Sequence, residues 1–269
     1  MNLHTHVRQQ LQAQTQQAAE DEAARLNQAL RLLSKWRSVL IQNTVLAQSG
    51  TAVRQGPLKG LDFLRQSAEG CHIAKLLGCY EQPLQPFLEE AMATPYDTVL
   101  NIGCAEGYYA VGLARRMPQT QVHAFDLNPQ AQRVCAELAA RNGVSDRVKV
   151  GALFQPADFS VFSSRRTLVV CDIEGAEKAL LDPQLAPALC QFDLIVESHE
   201  CLLPGVTQLL KDRFQPSHAI TVVTDDGQRH LDSPPDWFLN MSHLDQLLAV
   251  WEWRSGPTPW LVMKSRPLG

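Results

Sequence analysis

Asp172, Glu197 and His199 have the residue types and the expected positions to move a proton or to hold a cation. Each follows a short apolar run. The run 167–171 (TLVVC) leads into Asp172, and the run 192–197 (FDLIVE) ends in Glu197, with His199 and Glu200 close behind. Continuously apolar runs of this length read as strands buried on both faces of a parallel sheet. Side chains at the carboxyl ends of such strands lie where ligands bind in open α/β sheets. His199 is the one histidine expected at such a strand end, and an imidazole with an ordinary pKa of about 6.5 serves well as a general base. Asp172 and Glu197 could share a divalent ion, for which oxygen ligands favour Mg²⁺ or Ca²⁺. The competing reading is that Glu197 and His199 cap the next helix or face solvent.

A second group of residues would hold a ligand beside them. The stretch 98–114 (TVLNIGCAEGYYAVGLA) passes from an apolar run through a loop with Gly103, Ala105 and Gly107 into a segment suited to a helix. Glycines let the backbone approach a ligand closely, and free N–H groups at a helix start donate to it. Asp126, with Leu127 next to it, ends the second strand 19 residues beyond Gly107. A carboxylate there can accept from both hydroxyls of a ribose, although an aspartate at that point can also be a helix cap. After the third strand, Gly151-Ala152-Leu153-Phe154 would lie along the adenine, without an acidic residue for its amine. A dinucleotide fingerprint needs glycine at the second and third positions of G-x-G-x-x-G, where this chain has Ala105 and Tyr108.

The loop Gly103-x-Ala105-x-Gly107 resembles motif I of the class I S-adenosylmethionine-dependent methyltransferases, an acidic residue followed by G-x-G-x-G. Asn101 stands where many members carry Asp or Glu, and Glu106 could supply the missing carboxylate. The run Asp172-Ile173-Glu174-Gly175-Ala176-Glu177 resembles the D-x-E-G-x-E signature of the FkbM-type methyltransferases, which methylate hydroxyls, often on sugars and in polyketide or glycan pathways. The resemblance covers residues 76–265. It implies an α/β, Rossmann-like fold with a seven-stranded, mostly parallel sheet and helices on both faces. It implies S-adenosylmethionine as cofactor, contacted by Asn101, Gly103, Ala105, Glu106, Gly107, Asp126, Leu127, Ala152, Leu153 and Asp172. The acceptor would be a hydroxyl of a sugar, glycan or natural product, activated by Asp172, Glu197 and His199. Macrocin O-methyltransferase relatives add a divalent cation such as Mg²⁺, here on Asp172 and Glu197. Two alternatives stand beside this reading. One is a nicotinamide-dependent oxidoreductase, against which Tyr108 argues. The other is a cofactor-binding protein without catalysis that acts through its helical arm, kept open by Asn101 and by the missing acid near Ala152.

The elements that must position these residues are legible in outline. A chain of 269 residues suffices for one α/β domain with an extension. Strands are expected at 97–102, 121–126, 148–151, 167–171, 192–197, 219–224 and 260–264. Asn128-Pro129 opens a helix and Gly143 ends it; another helix is expected near Trp237 to Val250. Residues 1–50 read as a helical arm with apolar residues at Ala19, Ala23, Leu26, Leu30, Leu33 and Leu40, interrupted by Arg37. That face either packs on its own domain or pairs with a second copy, making a homodimer. Gly50 to Pro57 reads as a hinge. Residues 51–94 form a helical lid or linker broken at Gly60, Gly70 and Gly78, with Leu84, Phe87 and Leu88 as core and Tyr80-Glu81 as part of the lid. Residues 95–269 form the cofactor-binding domain.

Composition narrows the partners. The formal net charge is −4 and there is no long basic run, which disfavours nucleic acid. No apolar run approaches the roughly 20 residues of a membrane span, and the N-terminus lacks a signal-peptide core; a cytoplasmic protein is expected. The seven cysteines include no C-x-x-C pair and read as buried free thiols. Cys71-His72 with Cys79 lacks the second ligand pair of a familiar zinc site.

Overall fold

The computed structural model describes residues 2–16, 21–67 and 71–266. The chain begins with α1 (Leu3–Gln16) and α2 (Glu22–Ser49), followed by α3 (His72–Leu77) and α4 (Gln85–Ala93). Strands and helices then alternate: β1 (Thr98–Ile102), α5 (Tyr108–Arg116), β2 (Gln121–Phe125), α6 (Pro129–Arg141), β3 (Val148–Gly151), β4 (Thr167–Cys171), α7 (Glu177–Leu180), β5 (Asp193–Glu197) and α8 (Val206–Phe214). The last part holds β6 (His218–Val223), α9 (Asp236–Leu239), α10 (His243–Ala249) and β7 (Trp260–Ser265).

The seven strands form one sheet in the order β3-β2-β1-β4-β5-β7-β6. β7 is antiparallel to β5 and β6, and the other pairings are parallel. β1 and β4 are buried at every position, as continuously apolar central strands should be. Side chains alternate between two cores. Val99, Leu168, Val170 and Ile195 face one that includes Ala110, Val111 and Leu113 of α5. Leu100, Ile102, Val169 and Val196 face another, filled by Phe159, Phe192 and Phe214. Strand order reverses between β1 and β4, so the crevice outside their carboxyl ends is the topological switch point where ligands bind in such sheets.

Three expectations need correction. The arm is two helices, with Asp21 capping α2 by accepting the Ala23 N–H at 2.8 Å. α1 folds back along α2, where Trp36 donates to His4 at 3.0 Å. The stretch 50–57 is a packed turn and no hinge: Val53 and Leu58 are buried, and the Val53 N–H donates to the Leu61 carbonyl. The helix expected over 237–250 is broken into α9 and α10, because the Ser242 side chain caps a new start by accepting the Asp245 N–H. Ala19 and Gly70 lie outside the described residues.

The arm's apolar face divides. Ile41, Val45 and Leu46 enter the main core, while Leu26, Leu30 and Leu33 remain exposed. Arg37, which breaks the apolar pattern, makes a two-point contact with Asp245 of α10 at 2.6 and 2.5 Å. Arg37 is 40% exposed, so solvent screens the pair to about 1 kcal/mol. A double-mutant cycle of Arg37→Ala and Asp245→Ala, read by urea unfolding, should return a coupling of that size. A coupling near zero would mean that the buried turns of α2 hold the arm alone.

Candidate functional site

The loop between β1 and α5 is shaped by contact with the end of β4. Gly103 has φ +78°, and a Cβ built on it would lie 1.6 Å from the Asp172 carbonyl oxygen. No side chain fits there. Ala105 is also left-handed, at φ +45°, and its N–H donates to Asp126 Oδ2 at 2.8 Å. The other Asp126 oxygen accepts the Asn128 N–H at 2.8 Å. Asp126 therefore braces the loop and the start of α6 together. A carboxylate has about four lone-pair sites, so both oxygens can still accept from a ligand. Asn128 is the α6 cap, accepting the Gln130 N–H.

A cleft of about 630 Å³ opens at this point. Gly103, Ala105, Asp126, Leu127, Ala152, Leu153 and Asp172 line it, as expected from the sequence. Phe125, Phe154, Gln155, Ile173 and Leu180 complete the wall. Leu127 and Leu153 are 72% and 56% exposed, an apolar rim open to water. Three residues expected to touch the cofactor are not among the lining. Asn101 is buried within β1, its Nδ2 donating to the Val170 carbonyl. The Glu106 carboxylate accepts from Ser67 Oγ at 2.5 Å. At Gly107 an added Cβ would come within 2.8 Å of Cys135 Sγ, so this glycine serves the packing of α5 on α6.

Asp172, Glu197 and His199 converge at the end of β4 and β5. His199 Nε2 lies 3.5 Å from Asp172 Oδ1 and 3.7 Å from Glu197 Oε2. One donor atom from each lies within 4.8 Å of the others. The other ring nitrogen, Nδ1, is 2.7 Å from Glu177 Oε1. Burial opposes charge on the His199 ring, but the Glu177 hydrogen bond and the Glu197, Glu177 and Glu174 charges outweigh it and raise its pKa. Burial likewise opposes charge on Glu177, yet the His199 hydrogen bond and two backbone N–H groups lower its pKa. Glu200 is not part of this group. Its carboxylate accepts the Gly205 and Thr207 N–H groups at the start of α8.

On its far side, Glu197 is gripped by Arg254. The same guanidinium reaches Glu81 at 3.0 Å, Glu252 at 3.1 Å and Asp225 at 3.1 Å. Arg229 pairs with Asp225 and Glu252. Burial raises the Glu81 pKa and Glu197 adds to it, against the pull of Arg254 and of the Tyr109 hydroxyl that donates to Glu81. A second cavity of about 440 Å³, lined by Arg229, Trp251, Glu252 and Arg254 among others, borders this network. Sequence reasoning missed Glu177 as a partner of His199, and Arg254 as the partner of both Glu197 and Glu81. Pairs separated by 22, 57 and 173 residues leave no local pattern.

Comparison with known proteins points to methyltransferases. Residues 99–182 match the family model of a methyltransferase domain. A release factor glutamine methyltransferase of Deinococcus radiodurans is 28% identical over 153 residues, 51% of this chain and 52% of the relative. A ribosomal protein L11 methyltransferase of Pelotomaculum thermopropionicum is 34% identical over 113 residues, 41% of this chain and 35% of the relative. The chain thus spans about half or less of the curated relatives it matches. The solved O-methyltransferase TomG of Streptomyces achromogenes, in complex with S-adenosylmethionine, aligns over 83% of this chain and 96% of its own at 13% identity, with a TM-score of 0.48.

The loop geometry makes a stability prediction independent of any ligand. Gly103→Ala should cost roughly 3 kcal/mol, because the backbone must leave both its left-handed conformation and the Asp172 carbonyl. Gly143→Ala is the control, since Gly143 is also left-handed (φ +68°) but has nothing within 4 Å of its added Cβ. It should cost only about 1 kcal/mol. Equal losses in thermal unfolding would show that the carbonyl contact is unimportant.

Proposed function

We propose that this methyltransferase domain takes its methyl group from S-adenosylmethionine and delivers it to a hydroxyl oxygen, as an enzyme of the FkbM type. The observation that carries the reading is the position of Asp172. It lines the cleft at the switch point and also stands 3.5 Å from His199. Donor site and proton-accepting site therefore share a wall. The Asp172–Glu177 run supports the FkbM assignment and, with it, a sugar, glycan or natural-product acceptor.

The cleft suits the cofactor by its own chemistry. Asp126 retains lone pairs for ribose hydroxyls. Leu127 and Leu153 offer a flat base the apolar contact they lack. α5 starts directly after the loop, and its first N–H groups have no acceptor within their own helix. A nicotinamide dinucleotide fits less well. Its usual sheet runs 3-2-1-4-5-6, whereas here the antiparallel β7 lies between β5 and β6. Tyr108, at the third glycine position, packs edge-on against Phe63 and Tyr80 inside the core.

S-adenosylmethionine supplies a methyl group on a sulfonium, which leaves as a neutral thioether. The chain's part is alignment and proton removal. Alignment comes from the Gly103 loop, Asp126 and the walls of the cleft, and accounts for much of the rate in such displacements. A hydroxyl is a weak nucleophile at neutral pH, so its proton must leave as the methyl arrives. His199 Nε2 is placed to take that proton. Asp172, Glu197 and His199 also fit a divalent ion. One donor atom from each lies within 4.8 Å of the others. Asp172 and Glu197 would hold such an ion, and its charge would acidify the acceptor hydroxyl.

The test is transfer of labelled methyl to a panel of sugars, glycans and hydroxylated natural products. Asp172→Ala, Glu197→Ala and His199→Ala should each lower transfer by a factor of about 100 or more, while in Glu197→Ala and His199→Ala, which lie outside the cleft lining, S-adenosylhomocysteine affinity stays within about threefold of wild type. A chelator should inhibit only if the cation takes part. Full transfer in all three variants would place acceptor activation elsewhere.

A further inference from the structure

Glu177 closes the Asp172–Glu177 run, and nothing in the proposed transfer yet uses it. Its side chain is wholly buried. Oε1 faces His199 Nδ1 at 2.7 Å and also accepts the Gly175 N–H at 3.2 Å. Oε2 is buried without a hydrogen-bond partner among the described residues. A carboxylate kept in the interior with half its acceptor capacity unused is costly. A purely structural role, which a glutamine or an apolar residue would fill at lower cost, explains this poorly.

The local backbone is bent to make the contact. Glu174 and Gly175 both lie in the left-handed region, at φ +51° and +101°. The turn they form is closed by the Gly175 N–H on the same Glu177 oxygen that meets the imidazole. Left-handed backbone at a non-glycine residue is held only where the surroundings enforce it.

The two nitrogens of His199 are therefore unequal. An ionised carboxylate only accepts, so Nδ1 must bring the proton to Glu177. On the other side, Asp172 Oδ1 and Glu197 Oε2 are 3.5 and 3.7 Å from Nε2. Both separations exceed an ordinary N–H···O bond, so among the described residues the Nδ1 contact is the shorter claim on the ring proton. We propose that Glu177 is a positioning residue that keeps the neutral His199 ring in its Nδ1–H form and leaves the Nε2 lone pair facing Asp172 and Glu197. This rests on the reading of His199 as the group that receives the acceptor's proton. Glu177 fixes which ring nitrogen presents its lone pair to that point, as a carboxylate behind a catalytic histidine does.

The test reads the tautomer directly and needs no acceptor. The full chain, labelled with ¹⁵N-histidine, is studied by two-bond ¹H–¹⁵N correlation at a pH where the ring is neutral, with His199→Gln assigning the signals. Wild type should show a protonated Nδ1 and a bare Nε2. Glu177→Met, which keeps the bulk and removes the acceptor, should raise the Nε2–H population roughly tenfold or more, with S-adenosylhomocysteine affinity unchanged. A wild-type ring protonated on Nε2, or a folded Glu177→Met protein with the wild-type tautomer, overturns the proposal. Should Glu177→Met not fold, the wild-type signature and that of Glu177→Asp, whose shorter side chain withdraws from Nδ1, decide in the same way. Because the measurement is independent of turnover, it separates failure of this assignment from failure of the transfer reading.

Discussion

The carboxyl edge of the sheet depends on how closely the chain at Gly103 passes the Asp172 carbonyl. With a Cβ excluded at 1.6 Å, the first loop is seated directly on the end of β4. The ladder confirms the contact from the other side, where the Asp172 N–H donates to the Ile102 carbonyl at 2.9 Å. The glycine loop and Asp172 at the end of β4 are thus held together as one unit. Asp126 extends it to β2 through the Ala105 N–H. Rigid placement of this kind suits a displacement whose rate comes largely from alignment.

On the opposite side of Glu197 the constraint is electrostatic. Arg254 and Arg229 meet four carboxylates, Glu81, Glu197, Asp225 and Glu252, most of them well buried. Buried ion pairs are costly to desolvate, and breaking one partner away leaves an uncompensated charge. The network therefore says little about net stability and much about geometry. It binds residues 225–254 and the turn at Glu81 to the end of β5. Two residues in it or beside it, Glu81 and Trp253, adopt left-handed backbone at φ +48° and +61°. Such backbone is held only where the surroundings enforce it, here beside the Arg254 ion pairs.

The parts of the site governed by local pattern were legible in the sequence. Local pattern gave all seven strands to within a residue or two, most plainly β1 and β4, because a central parallel strand must be apolar on both faces. The glycine loop, Asp126 and the Asp172, Glu197 and His199 group follow from strand ends and were found there. What failed was anything set by distant packing. Asn101 lies at the right place in the motif, but full burial of β1 turns it to a backbone carbonyl. Glu106 has the right charge and faces Ser67 instead. The glycines and proline of 50–57 suggested a hinge, whereas Val53, Leu58 and Leu61 bury it. Arg37 looked like a flaw in an apolar stripe and is a tether to α10. Leu26, Leu30 and Leu33, in the same stripe, stay exposed.

The central claim is that the cleft at the switch point binds S-adenosylmethionine with its ribose on Asp126. Titration calorimetry of the full chain with S-adenosylhomocysteine and with NADH tests it most directly. The account predicts one site for S-adenosylhomocysteine, weakened roughly tenfold or more by Asp126→Ala through loss of a charge-assisted hydrogen bond, and no binding of NADH. Binding of NADH in its place, or S-adenosylhomocysteine affinity indifferent to Asp126, would contradict it.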